Sequence, residues 1–290
     1  MDTVLQLVLN ALHTSSLYAL VALGLTLILG VLDIADFAQG ALYMVGAYVA
    51  YFATAHLGIS FFLAIPLAML VASLFSITNY VAVYRPLRRF SGATTFIAAL
   101  GLLLILQNLA LMVFGAEYRL VRNPFPGMRI AIGGATWTGY QAFLAGSMVV
   151  LVTAVWLFLK RSPLGKSLRA VSQNRGGALV VGIDPFRVEM TAFALAGALA
   201  GAAGTLASAV NAFDPHIAAT VVIKAFAIVI FGGMGSVPGA IVGALIVGLA
   251  ENLTGGLIST QYAELTAFVL MVVVLLVRPR GLFGEQEAKL

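Results

Sequence analysis

The feature that most constrains this chain is a series of long stretches without a charged residue. The stretches are 3–32, 37–84, 90–116, 130–159, 190–213, 225–250 and 265–277. A helix needs about 20 mostly apolar residues to cross a hydrocarbon layer of about 30 Å. Residues 37–84 and 215–250 are each long enough for two crossings, with turns expected at 56–58 and 232–239. We therefore predict an all-α fold: a polytopic membrane helical bundle of about nine spans, within eight to ten, with broken or re-entrant segments. The whole chain, 1–290, is predicted to be one transmembrane domain.

The composition excludes a water-soluble enzyme. Charged residues make up 9% of the chain, whereas a soluble globular domain carries about 25%. Cysteine is absent, so the sequence offers no disulfide, thiolate metal site or cysteine nucleophile. The three histidines, His13, His56 and His216, are far apart in the sequence. We expect this chain to bind no metal and no cofactor of its own, and to supply no catalytic residue.

The basic residues predict the orientation in the membrane. They cluster at 85–89, 160–187 and 278–289, and such clusters mark the cytoplasmic side. Nine spans put all three clusters on that side, with the N-terminus outside and the C-terminus in the cytoplasm. Residues 117–129 carry three arginines on the outer side, and Asn-Pro-Phe-Pro-Gly at 123–127 predicts a structured loop there. The pattern favours orientation in a membrane rather than binding to nucleic acid.

The segment 160–187 is predicted to hold an amphipathic helix over 163–176. Ser162 and Pro163 form a helix-start signal, and Gly176-Gly177 is a stop signal. Leu164, Leu168 and Val171 fall on one face. Such a helix could rest on lipid headgroups or dock a soluble partner. Gly165-Lys166-Ser167 resembles the end of a nucleotide-binding loop, but Lys160 replaces its first glycine and no strand precedes it, so we expect no ATP site.

The coupling-loop residues 168–183 and the blocks 36–40 and 232–240 resemble the permease subunits of bacterial ABC importers of the branched-chain amino acid type. Leu168-Arg169-Ala170-Val171, Gln173-Asn174, Ala178 and Gly182-Ile183 are similar to the cytoplasmic coupling loop of that family. Asp36-Phe37-Ala38-Gln39-Gly40 is similar to its Asn-Phe-Ala-His-Gly block. Gly232-Gly233-Met234-Gly235-Ser236-Val237-Pro238-Gly239-Ala240 is similar to its Gly-Gly-x-Gly-Ser-x-x-Gly-Ala block. Asp36 and Gln39 depart from the family pattern.

The resemblance implies a subunit of a heteromeric importer in the bacterial inner membrane. A second homologous permease would share the translocation pathway, two ATPase subunits would bind ATP and Mg²⁺, and a periplasmic binding protein would deliver branched-chain or related small amino acids. It assigns coupling to the ATPases to the helix at 163–176 and to these residues: Leu164, Gly165, Leu168, Arg169, Gln173, Asn174 and Gly182. Urea or short amides are alternative substrates. An ion-coupled secondary transporter and an intramembrane enzyme are the rival functions; the enzyme would need a nucleophile–base pair or metal ligands at depth, and neither motif is present.

Polar groups inside spans are costly and need a partner or a function. Lys224 and Glu251 are expected at similar depths on adjacent spans, which predicts a buried ion pair; alternatively, Lys224 extends alone towards the membrane surface. Asp33 and Asp36 interrupt the join of the first two spans. This join is either a helix break that lines the pathway, with free N–H groups facing a substrate carboxylate, or a turn capped by aspartate. Pathway candidates are Thr14, Tyr18, Asp36, Gln39, Gly40, Asn108 and Asn211, and for each the alternative role is an interhelical hydrogen bond.

Overall fold

The computed structural model describes residues 2–132 and 135–284, so the end of the basic cluster 278–289 lies outside the described residues. The helices are α1 (Asp2–Leu32), α2 (Ala38–Ala55), α3 (Phe61–Asn79), α4 (Arg85–Leu87), α5 (Gly92–Phe114), α6 (Gly139–Arg161), α7 (Pro163–Gln173), α8 (Arg175–Val180), α9 (Pro185–Ser208), α10 (Ile217–Gly232), α11 (Val237–Leu257) and α12 (Thr260–Val277). A π-helical turn, Tyr80–Tyr84, joins α3 to α4, and the strands β1 (Arg129–Ile132) and β2 (Ala135–Thr138) form an antiparallel hairpin.

Seven helical segments of the described chain are long and apolar enough to cross a membrane. They are Val4–Leu32, Phe61–Leu87, Gly92–Phe114, Gly139–Arg161, Pro185–Ser208, Val237–Leu257 and Thr260–Val277. The other two predicted spans correspond to α2 and α10. The helix α10 has 16 residues and is too short to count among the seven, and α2 has 18 residues but is not among the seven. The polytopic helical bundle predicted from the sequence is thus confirmed, with seven clear spans and two less apolar or shorter helices among them.

The two ends of the bundle carry different elements. One end, here called the basic end, carries α4, α7, α8 and the join between α1 and α2. The opposite end, here called the hairpin end, carries β1 and β2. The expected turns are present: α2 ends at Ala55 before α3 begins at Phe61, and α10 ends at Gly232 before α11 begins at Val237.

The start of the predicted fifth span is wrong. The sequence places residues 130–160 in one apolar stretch, but the first part pairs as a hairpin, with Arg129 opposite Thr138. The helix begins only at Gly139, because Thr138 and Gln141 form a reciprocal capping box. The preceding segment, residues 115–128, is tied to the turn after α9: the Val121 amide donates to the Ser208 carbonyl at 2.8 Å. Polar capping therefore overrides an apolar composition that alone would extend the helix.

The core forms where α9 passes between α2 and α3 at very short range. A Cβ on Gly46 would lie 2.3 Å from the Gly201 carbonyl oxygen, and one on Gly204 would lie 1.9 Å from that of Tyr43. Only glycine permits backbones to approach this closely, as in other membrane bundles. The glycine spacing of α9 therefore serves packing within this chain.

Candidate functional site

The helix α7 folds back on the end of α6 at the basic end. The Ser162 hydroxyl accepts a hydrogen bond from the Gly165 amide at 2.8 Å, which caps the helix. A Cβ on Gly165 would lie 2.3 Å from the Phe158 carbonyl oxygen, so glycine allows the tight fold. Leu168 and Val171 are buried. Leu164, the remaining member of the predicted apolar stripe, is 46% exposed.

The predicted helix 163–176 is in fact two helices. Asn174 adopts an extended conformation, with φ −155° and ψ 99°, which ends α7 at Gln173. Its side chain accepts a hydrogen bond from the Gly177 amide at 2.8 Å and caps α8. Gly176-Gly177 therefore lies in the first turn of α8 and is not a stop signal. Asp184 caps α9, accepting a hydrogen bond from the Phe186 amide at 3.0 Å.

The two short helices expose a mixed surface. The exposed coupling candidates are Leu164, Arg169, Gln173, Asn174 and Gly182, whereas Gly165 and Leu168 are buried beneath them. The sequence analysis missed an apolar tip at the end of α8, where Val180 is 88% and Val181 is 73% exposed. Exposed apolar side chains next to charged ones are typical of a protein contact surface.

The join between α1 and α2 is built around Asp36, which is fully buried. One carboxylate oxygen accepts hydrogen bonds from the Ala38 amide, at 2.9 Å, and from the Tyr84 hydroxyl. Burial raises the pKa of Asp36 to about 6, against the opposing effect of these two hydrogen bonds. The N-terminus of α2 is thus occupied by a carboxylate of the chain itself, which is the capped-turn alternative of the sequence analysis.

Gln39 and Gly40 join helices within the bundle. The Gln39 side-chain amide donates to the Ala196 carbonyl of α9 at 2.9 Å and is fully buried. A Cβ on Gly40 would lie 2.0 Å from the Ala218 carbonyl oxygen of α10. Both residues therefore fix the start of α2 against its neighbours.

Lys224 and Glu251 lie together, as their predicted depths require. The Lys224 ammonium donates to one Glu251 oxygen at 2.7 Å, and each side chain is 13% exposed. The Tyr18 hydroxyl donates to the other Glu251 oxygen at 2.7 Å and accepts from Lys224 at 3.1 Å. Three helices, α1, α10 and α11, thus meet at one charged cluster, and its three polar groups form hydrogen bonds with one another.

A line of polar side chains leads along α1 from the hairpin end to this cluster. Its members recur every four residues and are all partly exposed: Gln6, Asn10, Thr14 and Tyr18. Gln6 bonds Asn10 at 3.2 Å, and the Asn252 side chain donates to Thr14 at 3.1 Å. The sequence analysis named Thr14 and Tyr18 but missed Gln6, although a polar residue at every fourth position of an apolar span is a visible signal.

Two pathway candidates lie away from this line. Asn108 is exposed on α5 and donates to the Leu104 carbonyl of its own helix at 2.8 Å. Asn211 is exposed in the turn after α9. The structure therefore does not bring Asn108 or Asn211 together with Thr14 and Tyr18. Among the described residues, no group of three or more His, Cys, Asp and Glu side chains could hold a metal ion.

Another buried carboxylate lies at the basic end, and nothing in the sequence pattern pointed to it. Glu189 of α9 is 1% exposed, accepts hydrogen bonds from Tyr80 and Arg175, and forms an ion pair with Arg88. These partners come from the π-helical turn, α8 and the segment after α4. Only the bundle geometry brings them together, because they are 14 to 109 positions from Glu189 in the sequence.

Comparison with known proteins gives consistent matches over nearly the whole chain. Residues 7–277 match the family model described as branched-chain amino acid transport system / permease component. The permease protein BraD of Pseudomonas aeruginosa is 31% identical over 98% of this chain and 97% of its own length. LivH of Salmonella typhimurium is 32% identical with the same coverage. LivM of Escherichia coli is 28% identical over 94% of this chain and 69% of its own length.

The fold has a solved counterpart. PsaBC from Streptococcus pneumoniae in complex with Fab matches with a TM-score of 0.50 at 16% identity, over 93% of this chain and 91% of that chain. At this identity the likeness concerns the fold alone. The family model and the BraD and LivH matches span almost the entire sequence, so this chain belongs to the family of permease components of branched-chain amino acid transport systems.

Proposed function

We propose that this chain is one permease subunit of an ATP-driven importer of branched-chain amino acids in a bacterial inner membrane. In this proposal it pairs with a second, LivM-like permease, docks two ATPase subunits at the basic end, and receives substrate from a periplasmic binding protein at the hairpin end. The N-terminus would lie outside and the C-terminus in the cytoplasm. The ATPase subunits, rather than this chain, would bind ATP and Mg²⁺.

The observation that carries the proposal is the pair of short helices α7 and α8. Their buried side, with Gly165 and Leu168, fixes them to the bundle, while Arg169 and Val180 stay exposed. A helix that merely rested on lipid headgroups would need a continuous apolar face towards the lipid. The apolar face of α7 packs against the bundle instead and is not available to lipid. The exposed mixture of apolar and basic side chains suits a protein partner instead.

The polar line on α1 supports a pathway next to this helix. Polar and charged groups in membrane spans usually face the bundle interior or a water-filled cavity. Thr14, Tyr18, Lys224 and Glu251 each keep part of their surface open in the single chain. We infer that this open edge faces the second permease and lines the outer part of the shared pathway, whereas Asp36, Gln39 and Gly40 have structural roles.

Docking can be tested with two exposed positions and one matched control. Arg169→Glu and Val180→Asp change the proposed docking surface without touching a buried group, and Arg122→Glu makes the same charge change at the hairpin end. After co-expression with the partner permease and ATPase subunits, the wild type and Arg122→Glu should retain the ATPase on purification. Arg169→Glu and Val180→Asp should lose it about tenfold, a change of roughly 1.4 kcal/mol in binding. Full retention in both docking variants would refute the docking role.

Substrate and energy source can be tested in proteoliposomes that hold the complete complex. We expect labelled leucine, isoleucine and valine to enter when ATP is enclosed with the ATPase subunits and the binding protein is outside, and labelled urea and acetamide to stay out. Uptake driven by a sodium or proton gradient without ATP would favour the secondary transporter. Uptake of urea or acetamide in place of the amino acids would assign the same machine to amides.

A further inference from the structure

The buried Glu189 cluster at the basic end has no role in the docking surface or in the polar line on α1. A buried carboxylate is tolerated when it is paired and hydrogen-bonded. Glu189 is paired with two arginines and the Tyr80 hydroxyl. Arg175 lies on α8, one residue beyond the end cap of α7, and its Nε is 3.1 Å from a Glu189 oxygen. Any displacement of α7 and α8 therefore acts on Glu189 through its contact with Arg175.

The cluster continues into the π-helical turn Tyr80–Tyr84. Tyr80 at its start donates to Glu189, and Tyr84 at its end donates to Asp36. Both tyrosine side chains are buried, and both pack against the Phe193 ring of α9. The ring centroids of Tyr80 and Tyr84 lie 4.9 Å and 5.3 Å, respectively, from that of Phe193. Turns of this type are rare, occur mostly as single turns within α-helices, and are frequent at functional sites. The two hydroxyls thus connect the Glu189 cluster to the join of α1 and α2 through one irregular turn.

The join borders a cavity. A cavity of about 450 Å³ lies beside it, lined among others by Asp33, Ala35, Arg88 and Thr95. Arg88 belongs to the Glu189 cluster, and Asp33 holds a left-handed backbone with φ 57°. Aspartate is enriched among the non-glycine residues that adopt this conformation, and here it ends α1 in a turn. The connected elements are therefore a sharp turn at the join, an adjacent cavity and an irregular turn.

We propose that Glu189 is a positioning residue that couples movement of α7 and α8 to the join between α1 and α2, through Tyr80 and Tyr84. This inference rests on the proposed function, because it needs a partner that moves α7. When that partner shifts α8, Arg175 and Glu189 move together, the Tyr80–Tyr84 turn changes register, and Asp36 changes position. The coupling passes through hydrogen-bonded and packed groups with more than one possible arrangement, which is the physical requirement for such a route.

The test compares variants that each remove one link and keep side-chain shape. They are Glu189→Gln, Tyr80→Phe and Tyr84→Phe, with Tyr140→Phe as the matched control. Tyr140 is equally buried, and its hydroxyl donates to the Leu206 carbonyl in another part of the bundle. Each variant is placed in the complete complex in proteoliposomes, and labelled leucine uptake and ATP hydrolysis are measured in the same samples.

The readout is the amount of leucine taken up per ATP hydrolysed. We expect Glu189→Gln and Tyr84→Phe to keep the assembled complex and its ATP hydrolysis within about twofold, and to lower uptake per ATP by about fivefold or more, a usual size for coupling between sites. The double variant Glu189→Gln/Tyr84→Phe should be little worse than either single variant, because both break one route. Tyr140→Phe should behave as the wild type.

Several results would overturn the inference. These are unchanged uptake per ATP in Glu189→Gln and Tyr84→Phe, an equal loss in Tyr140→Phe, or a parallel fall of uptake and hydrolysis, which would indicate a purely structural role. If Glu189→Gln prevents assembly, the two tyrosine variants, which each lose only a hydroxyl, decide the matter. The wild type separates this question from the proposed function: if wild-type complex takes up no leucine with ATP, the proposed function fails, and only a coupled wild type tests the route.

Discussion

Removing one partner of the Lys224–Glu251 pair should destabilise the protein far more than removing both. The two charged groups are 2.7 Å apart and each side chain is 13% exposed. Lys224→Met leaves the Glu251 carboxylate among three helices with the Tyr18 hydroxyl as its remaining donor in the cluster. Breaking a buried pair in this way costs roughly 3–5 kcal/mol. Because the Tyr18 hydrogen bond survives and is charge-assisted, the lower end of about 3 kcal/mol is expected.

This free energy can be measured as a melting temperature in detergent. A loss of 1 kcal/mol lowers Tm by roughly 2–4 °C in a protein of about this size, so Lys224→Met and Glu251→Gln should each melt roughly 6–12 °C below the wild type. The double variant Lys224→Met/Glu251→Gln carries no unpaired charge and should melt within about 4 °C of the wild type, since a buried pair replaced by neutral groups is often tolerated.

An exposed ion pair provides the control for this prediction. Arg187 and Asp184 are 3.4 Å apart with side chains 83% and 53% exposed, and exposed pairs contribute little because water screens them. Arg187→Gln should therefore leave Tm unchanged. If the single buried variants melt with the wild type, or if the double variant loses the sum of the two single losses, the two charges do not depend on each other and the argument is refuted.

Two further predictions concern packing and pH. Gly204→Ala should lower Tm strongly, because the added Cβ would lie 1.9 Å from the Tyr43 carbonyl oxygen, whereas Gly101→Ala on α5, with open space around it, should not; equal melting of the two variants would contradict the close contact of α2 with α9. Burial raises the pKa of Asp36 from 3.8 to about 6, so its protonated form stabilises the fold fully below about pH 3.8 and this contribution, at most roughly 3 kcal/mol, is lost as pH rises through about 6. Asp36→Asn should flatten that part of the Tm-versus-pH curve, and parallel curves for variant and wild type would show that Asp36 does not cause it.

Much of the fold follows from the sequence because a membrane leaves few options. Backbone groups in hydrocarbon must be satisfied internally, so long uncharged stretches become helices, and turn signals such as Gly232 to Gly239 separate them. The Lys224–Glu251 contact could also be predicted from the sequence, because the rise per residue fixes the depth of each group along a straight helix. The helix cap at Ser162 could be predicted because its hydrogen-bond partner, the Gly165 amide, lies only three residues away.

What the sequence did not reveal depends on competition between local signals or on distant contacts. Thr138 and Asn174 each redirect the chain by a side-chain hydrogen bond, and at Asn174 this outweighs the apparent stop signal of Gly176-Gly177. Glu189 looks like an ordinary charge near a helix start until α8 and the Tyr80–Tyr84 turn are packed beside it. No spacing rule along one chain connects these elements, because their contact is a consequence of how the helices pack.

The position of Asp36 changes where substrate recognition is to be sought. A broken helix can bind a substrate carboxylate with its free N–H groups, but at α2 the Ala38 amide already donates to Asp36 at 2.9 Å. A second carboxylate there would meet like charge in a fully buried place, which is unfavourable. The polar groups that stay partly exposed lie instead on α1 and end at Lys224 and Glu251, where both signs of charge are present. Under the proposed function, a zwitterionic amino acid exchanges contacts with this pair without leaving either charge unpaired, so we expect its route to follow α1.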